Sequence, residues 1–519
     1  MTFLQCIRDK VKNDRSFVIC VLTILIVCGS TFALQNKIVG FEPGYDALQP
    51  KHHGWVSSQG LAIMTTATLE NHFVGYAVAM KDSQDNPLYD YFDRYPIFFS
   101  ATFNRLISLF NKLSDKVYAA KQGMNLIFLA TLIMAFLILD KLTGNKLLAL
   151  SVALLTFANP FLLFYKDMVH FDQPALFGCF LLIYAMVVYK LDGKKILLII
   201  STFVAIGLGR GYASYPILML LVGFEAILIL KSRNLNLKNK LLTILKQPSF
   251  LLLVFGIIWG ASLLSYNIVM EAKKRDISIS KTSIVDSSQR RLSLNPEFNQ
   301  ANEGIINWQE FTVSEVNRII QWAFPYNKVN LEFLGNSILL ILMLIIIGIF
   351  IFLQTTEKRI IYLIIILFGF GWLIPLRNLA AFHDYTTMYY VGIPLIFFLA
   401  LFSFIKLPGK LSYLLLVVAL AIYLNALVQV KHLHESIAGS ANQYTYDFMQ
   451  IDEKIVGTGN NIFMKNVVPY APYVPVFYLP GQYISPIEVA DYVISENRNY
   501  GPDNLTPQNH IMFLFKAKK

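Results

Sequence analysis

The residues able to do chemistry in this chain gather in a few short stretches. Tyr45, Asp46, Lys51, His52, His53 and Trp55 lie close together, and Tyr89, Asp90, Tyr91, Phe92, Asp93, Arg94 and Tyr95 run consecutively ahead of Pro96. Lys166, Asp167, His170 and Asp172 crowd into a third stretch. Arg210 stands between Gly209 and Gly211, and Arg377 is followed closely by His383, Asp384 and Tyr385. A carboxylate or imidazole can take a proton from an attacking hydroxyl, and a cation can stabilise a departing phosphate. Both kinds of group around one cavity would suit group transfer away from a phosphate. Plainer readings stand beside this one. Tyr45 and Trp55 suit interfacial anchors, Asp93 can pair with Arg94 and Lys166 with Asp167, and Arg210 suits a snorkelling side chain. His52, His53, His170 and His383 could meet at a divalent cation. Phosphate binding accounts for them equally well, and no histidine or cysteine spacing gives a zinc signature.

Each stretch sits at the end of an apolar run. The 519 residues are 55% hydrophobic and only 15% charged, where soluble domains carry about 25% charged residues. The mean hydropathy is +0.52. Runs near 17–34, 120–140, 146–165, 173–190, 193–209, 214–230, 249–268, 335–354, 360–376, 387–404 and 411–429 approach the length of a bilayer core, which predicts about eleven spans. The first run follows Arg8, Lys10, Lys12 and Arg15 and reads as an uncleaved anchor rather than a signal peptide.

The net charge of +11 comes largely from short basic loops at 141–146, 190–195, 231–246, 357–359 and 406–410. That is the positive-inside pattern and not a nucleic-acid-binding face. With the N-terminus inside, the non-cytoplasmic side receives loops 36–118 and 270–333 and the tail. All eight histidines fall on that side. The chain divides into a membrane domain, 1–429, and a small extracytoplasmic α/β domain, 430–519, with strands expected at 461–467, 474–479 and 510–515 and a helix at 487–496. The stretch 97–110 carries apolar residues at helical spacing and is expected to lie along the membrane surface. Cys20, Cys28 and Cys179 fall inside apolar runs, so no disulfide framework is implied. There is no P-loop, no dinucleotide fingerprint, no His-Glu-x-x-His and no nucleophile elbow.

Three motifs in this order carry a resemblance: Asp46 in a long first outer loop, then Tyr91-Phe92-Asp93-Arg94-Tyr95-Pro96, then Asn159-Pro160 through Tyr165-Lys166 to Asp172-Gln173-Pro174. The layout over roughly 17–400 resembles the GT-C glycosyltransferases, the polytopic superfamily that includes protein mannosyltransferases and lipid A aminoarabinose transferases. The resemblance implies an all-α polytopic membrane bundle that moves a sugar from a polyprenyl-phosphate donor to a lipid, glycan or protein acceptor. It implies that the first-loop acid, Asp46, is the catalytic base and that outer-loop cations hold the lipid phosphate. The adjacent Asp-Glu pair of that superfamily is absent, and a register taken from Ala62 and Met64 places His53 there, so Asp46 and His53 both stand as the base. Asp172 joins them as the residue that orients a cation or the acceptor. Arg94, Lys166, His170, Arg210, Arg377 and His383 are the substrate-binding candidates. No resident cofactor follows, although a divalent cation could take part. The competing function is a transporter or flippase of a lipid-linked glycan. Such a pathway would place its charges at mid-span depth, where they are nearly absent here.

An odd span count from an inside N-terminus puts the tail outside the cytoplasm. In intact cells, Ser440→Cys is expected to react with a membrane-impermeant maleimide. Labelling that requires permeabilisation would shift every loop assignment.

Overall fold

The computed structural model describes residues 14–34, 52–91, 95–209, 211, 213–232, 236–291, 307–323, 333–377, 380, 383–405, 409–437, 451, 454–455, 457–465, 479, 482–495 and 513–516. It is an integral multi-pass protein, mostly helical, with a mixed sheet. The principal helices are α1 (Arg15–Ala33), α2 (His52–Thr66), α3 (Ile97–Ser108), α4 (Leu113–Thr143), α5 (Lys146–Phe157), α6 (Asp172–Asp192), α7 (Lys195–Gly209), α8 (Tyr215–Lys231), α9 (Leu237–Leu245), α10 (Pro248–Arg275), α11 (Trp308–Ala323), α12 (Phe333–Phe352), α13 (Thr356–Leu367), α14 (Gly392–Ile405) and α15 (Gly409–Ile437).

Among the described residues seven helices are long and apolar enough to cross a membrane, or eight if one bent pair counts as a span. This corrects the expected eleven. The runs at 193–209 and 214–230 form helices of 15 and 17 residues. At 1.5 Å per residue these reach about 25 Å at most, short of a hydrocarbon core of about 30 Å. The run at 360–376 breaks after Leu367 and resumes only as Phe370–Leu373. Hydropathy reports apolar length and is blind to where the hydrogen-bonded helix stops.

The centre of the bundle is α5, whose side chains are all buried from Ala149 through Phe157. A helix apolar on every side has to be surrounded, and α5 packs against α1, α4, α14 and α15. The periphery shows the complementary pattern. On α12 the side chains of Ile338, Ile341, Leu342, Ile345, Ile349 and Phe352 are exposed at helical spacing while Met343, Ile347 and Phe350 are buried. That exposed apolar stripe is the surface a bilayer covers. Turns between spans are tight: α6 stops at Gly193, whose φ of +70° is the left-handed cap that glycine adopts without a steric penalty.

At one end of the bundle the described residues form a sheet of six strands, ordered β2-β1-β4-β3-β5-β6. Strands β1 (Tyr76–Lys81) and β2 (Pro87–Tyr91) form a hairpin from the first long loop. Strands β3 (Asn461–Lys465), β4 (Tyr483–Ile484), β5 (Tyr492–Ser495) and β6 (Phe513–Lys516) come from the tail. The seam is the parallel pairing of β1 with β4, Met80 opposite Ile484. The Tyr89 and Tyr483 hydroxyls, 2.9 Å apart, span it, Lys81 sits over the Tyr483 ring, and the Asn461 amide donates to Asp85 at 2.8 Å. The tail is therefore not self-contained in its sheet. The expected helix at 487–496 is a 3-10 turn, Ile487–Val489, followed by β5. Tyr492, Val493 and Ile494 favour a strand, and parallel pairing with β3 engages them. The expected strands at 461–467 and 510–515 appear as β3 and β6. That at 474–479 lies outside the described residues apart from Leu479. The expected helix at 97–110 is α3, with Phe99, Phe103 and Ile107 buried.

The bent pair is α5 followed by Pro160–Asp167, at 73°. Asn159 caps the second piece, its side chain accepting from the Phe161 N–H at 2.8 Å and the Leu162 N–H at 3.3 Å, with Pro160 at the first helical position. Its amide also donates to the Gln321 carbonyl of α11 at 3.1 Å. Asn159→Ala removes cap and tether together. The expected cost is roughly 1–2 kcal/mol, read as a lowered thermal midpoint in detergent. An unchanged midpoint would show that the bend is held by other contacts.

Candidate functional site

The bend turns the chain into a segment that is buried almost throughout from Leu162 to Gln173. Lys166, Asp167, His170 and Asp172 are only 4%, 2%, 8% and 2% exposed. Four ionisable groups so removed from water require partners. Asp172, the first residue of α6, has one carboxylate oxygen 2.6 Å from His170 Nδ1. Its other oxygen accepts from the Tyr389 hydroxyl at 2.9 Å. Lys166 Nζ donates to Asn125 Oδ1 at 3.1 Å, and Lys121 Nζ lies 3.7 Å from Asp167 Oδ2. Lys121 and Asn125 are one turn apart on α4, so a single helix face receives both members of the Lys166-Asp167 pair. Beside the electrostatic effect of Asp167 on Lys166, both neighbours therefore have partners on another element.

Helix α2 lies against the same segment. Ser57 Oγ accepts from the Val169 N–H at 3.0 Å. At Gly60, about one turn on from Ser57 along α2, a Cβ would come 2.1 Å from the Val169 carbonyl oxygen, an approach only glycine permits. Position 53 is one turn before Ser57 on that helix face, so the backbone of α2 brings this end of the first loop to the segment. Aromatic rings enclose His170. The Tyr95 ring stands edge-on at 5.2 Å and Tyr385 at 5.7 Å, and Tyr385 in turn is 5.3 Å from His383. The Tyr95 carbonyl is held by the Asn267 amide of α10 at 3.0 Å.

The structure thus pairs His170 with Asp172, with His383 one ring away, and holds Lys166 and Asp167 of the same segment separately against Asn125 and Lys121 of α4. Arg377 lies with its guanidinium over the Trp308 ring at 4.7 Å. Asp46, Arg94 and Arg210, and the side chain of His53, lie outside the described residues. Among the described residues no group of three or more His, Cys, Asp or Glu side chains converges as a metal site would.

Neither a family model nor a curated protein matches the sequence. Solved structures do match. A crystal structure of ArnT from Cupriavidus metallidurans bound to undecaprenyl phosphate superposes with a TM-score of 0.55 at 12% identity, over 96% of this chain and 98% of that one. ArnT in the apo state gives 0.54 at 11% identity, over 96% and 97%. The fold is that of ArnT. The resemblance drawn from the motifs is met at the level of the fold, and the likeness to ArnT extends through the sheet as well as the bundle, since nearly the whole of both chains is covered.

Within this ArnT fold several polar residues at the site escaped sequence reasoning. Lys121 and Asn125 begin an apolar run and were read as span; their one-turn spacing was the available signal. Tyr389 likewise fell inside a run. Glu315 and Arg318, one turn apart on α11, lie in the second long loop, where a helical i,i+3 ion pair could have been sought. Arg318 pairs with Glu315 at 3.1 Å and donates to the Ala380 carbonyl, between Arg377 and His383. It ties α11 to the chain that carries both. Glu315 is 5% exposed, and burial raises its carboxyl above the ordinary range, with Arg318 and Tyr390 acting against that rise.

The sign follows from linkage. A carboxyl with a raised folded-state pKa holds its proton more tightly when folded, so its contribution to stability is complete below the unfolded value of about 4.3 and is lost as pH rises through the folded value. Thermal midpoints of the wild type are expected to fall across that window, and Glu315→Gln should flatten the profile. Superimposable profiles would show that Glu315 does not titrate there.

Proposed function

We propose that this protein is a membrane glycosyltransferase that takes a sugar from a polyprenyl-phosphate donor and passes it to an acceptor on the non-cytoplasmic side. The observation that carries the reading is the buried stretch bearing Lys166, Asp167, His170 and Asp172 at the sheet end of a bundle with the ArnT fold. ArnT, an aminoarabinose transferase, has been captured with undecaprenyl phosphate. The short basic loops at 141–146, 190–195 and 231–246 join helices at the opposite end from the sheet, which supports an extracytoplasmic site.

In this reading an acceptor hydroxyl attacks the sugar's anomeric carbon, the bond from that carbon to the phosphate oxygen breaks, and the polyprenyl phosphate leaves with the electron pair. The hydroxyl proton passes to Asp46 or to His53, both of the first long loop. Lys166 and Lys121 supply positive charge near the departing phosphate, and Arg94, Arg210, Arg377 and His383 are further donors toward it. A low-dielectric setting strengthens every such interaction. Asp172 holds the imidazole of His170 in place, so its part is positioning. A divalent cation, if one takes part, would need ligands from the first loop in addition to this stretch.

The test uses purified protein and a labelled polyprenyl-phosphate sugar. Release or transfer of the sugar is the expected result; passage of the intact donor across a proteoliposome bilayer without bond cleavage would establish a flippase instead. Removing a general base costs on the order of 100 to 10,000-fold in rate. One of Asp46→Asn and His53→Ala is therefore expected to lose turnover while keeping donor binding, whereas Asp172→Asn should lower both. Full activity in all three variants would place the catalytic groups outside the first loop.

A further inference from the structure

We infer that α9 is a docking element for anionic phospholipid headgroups at the bundle end opposite the sheet. The inference does not depend on the sugar-transfer reading. The connection 231–246 between α8 and α10 contains Lys231, Arg233, Lys238, Lys240 and Lys246 and no acidic residue. Within it α9 forms a helix of nine residues, started by Asn236, whose side chain accepts from the Asn239 N–H at 2.9 Å. Such a helix is about 13 Å long and cannot cross a bilayer.

None of its side chains is buried. Leu237, Leu241, Leu242 and Leu245 are 67%, 51%, 42% and 49% exposed, and with Ile244 they fall on one broad arc of the helix. Lys246, Asn239, Thr243 and Lys240 occupy the other side. Lys238 rises from within the leucine arc, where a long aliphatic stem can carry its charge out to headgroup level.

The helix is nonetheless fixed in place. Lys240 Nζ donates to the Leu230 carbonyl at the end of α8, 2.6 Å away, which clamps α9 beside the bundle. The leucines have no place inward. The bundle end between α8 and α10 is closed by a polar cluster in which Glu225 of α8 accepts from Lys190 of α6 and from the Ser249 hydroxyl of α10. An apolar arc facing out, basic residues along its margin, no acidic residue and a position at the ends of two apolar helices describe an interfacial helix. The uncompensated positive charge selects anionic over zwitterionic lipid. What α9 grips matters to the other end of the molecule, because α10 runs on from this anchor to Asn267, which holds the backbone of Tyr95 beside His170.

The experiment is hydrogen exchange by mass spectrometry on the full-length protein in nanodiscs of phosphatidylcholine, with and without phosphatidylglycerol. Exchange over 237–245 is expected to slow about tenfold when phosphatidylglycerol is present, and the difference should shrink at high salt. The variant Lys231→Gln, Lys238→Gln, Lys246→Gln spares the Lys240 clamp and should lose the lipid difference while the spans stay protected. Equal protection of the wild type in both lipids would overturn the proposal, since the charge would then recognise nothing. Protection that appears only in nanodiscs holding two copies of the protein would overturn it in favour of a contact between copies.

Discussion

A carboxylate taken out of water has to be given partners, and the burial of Asp172 organises the rest of this protein's site. The two groups on its oxygens come from different places: His170 from the segment after the bend, Tyr389 from the chain leading into α14. To deliver His170, the helix pair must turn by 73° at Asn159-Pro160. To let α2 close over the turned segment, position 60 must lack a side chain. Each requirement is steric or electrostatic, and each is met by one residue type. Loss of a partner from such a buried group is costly, roughly 3–5 kcal/mol for an ion pair broken by removing one member. The site is for that reason part of the scaffold as well as its working surface.

How much of this was legible in the sequence depended on where each residue sat. His170 and Asp172 could be picked out because ionisable residues between two apolar runs are conspicuous. Lys121 and Asn125 carried only their one-turn spacing and Tyr389 no signal, since a polar side chain near the start of a span looks like an ordinary boundary until the facing segment is known. For Arg318 the spacing to Glu315 was readable but the tether was not: its second partner, Ala380, offers a backbone carbonyl, and a carbonyl has no signature in sequence. The helical bundle itself was readable from apolar length, yet three runs proved too short or broken, because continuity of hydrogen bonding is invisible to hydropathy. The sheet was half read. Strands β3 and β6 announced themselves through apolar and β-branched residues, while the pairing of β1 with β4 joins segments some four hundred residues apart and leaves no local trace.

The likeness of fold to ArnT at 12% identity has a physical explanation in the same terms. A bilayer constrains lipid-facing positions by apolarity alone, so on a stripe such as Ile338 to Phe352 any large aliphatic or aromatic residue serves. Identity can fall a long way before length, polarity and the location of helix breaks change. What defines the architecture is the sequence of turns and of buried polar contacts, and these need few residues.

The shared sheet also orders events in time. Hairpin β1–β2 is made before most of the bundle's helices, and β4, which covers the open edge of β1, only after them. Until then that edge presents unpaired N–H and C=O groups, the ready template by which strands join wrong partners. The newborn chain must therefore hold a half-built sheet beside the membrane while most of its spans are inserted. A message that stops short of β4 would leave more than a missing tail. It would leave an adhesive strand, β1, in the same loop that leads on to Tyr95 at the wall of the site.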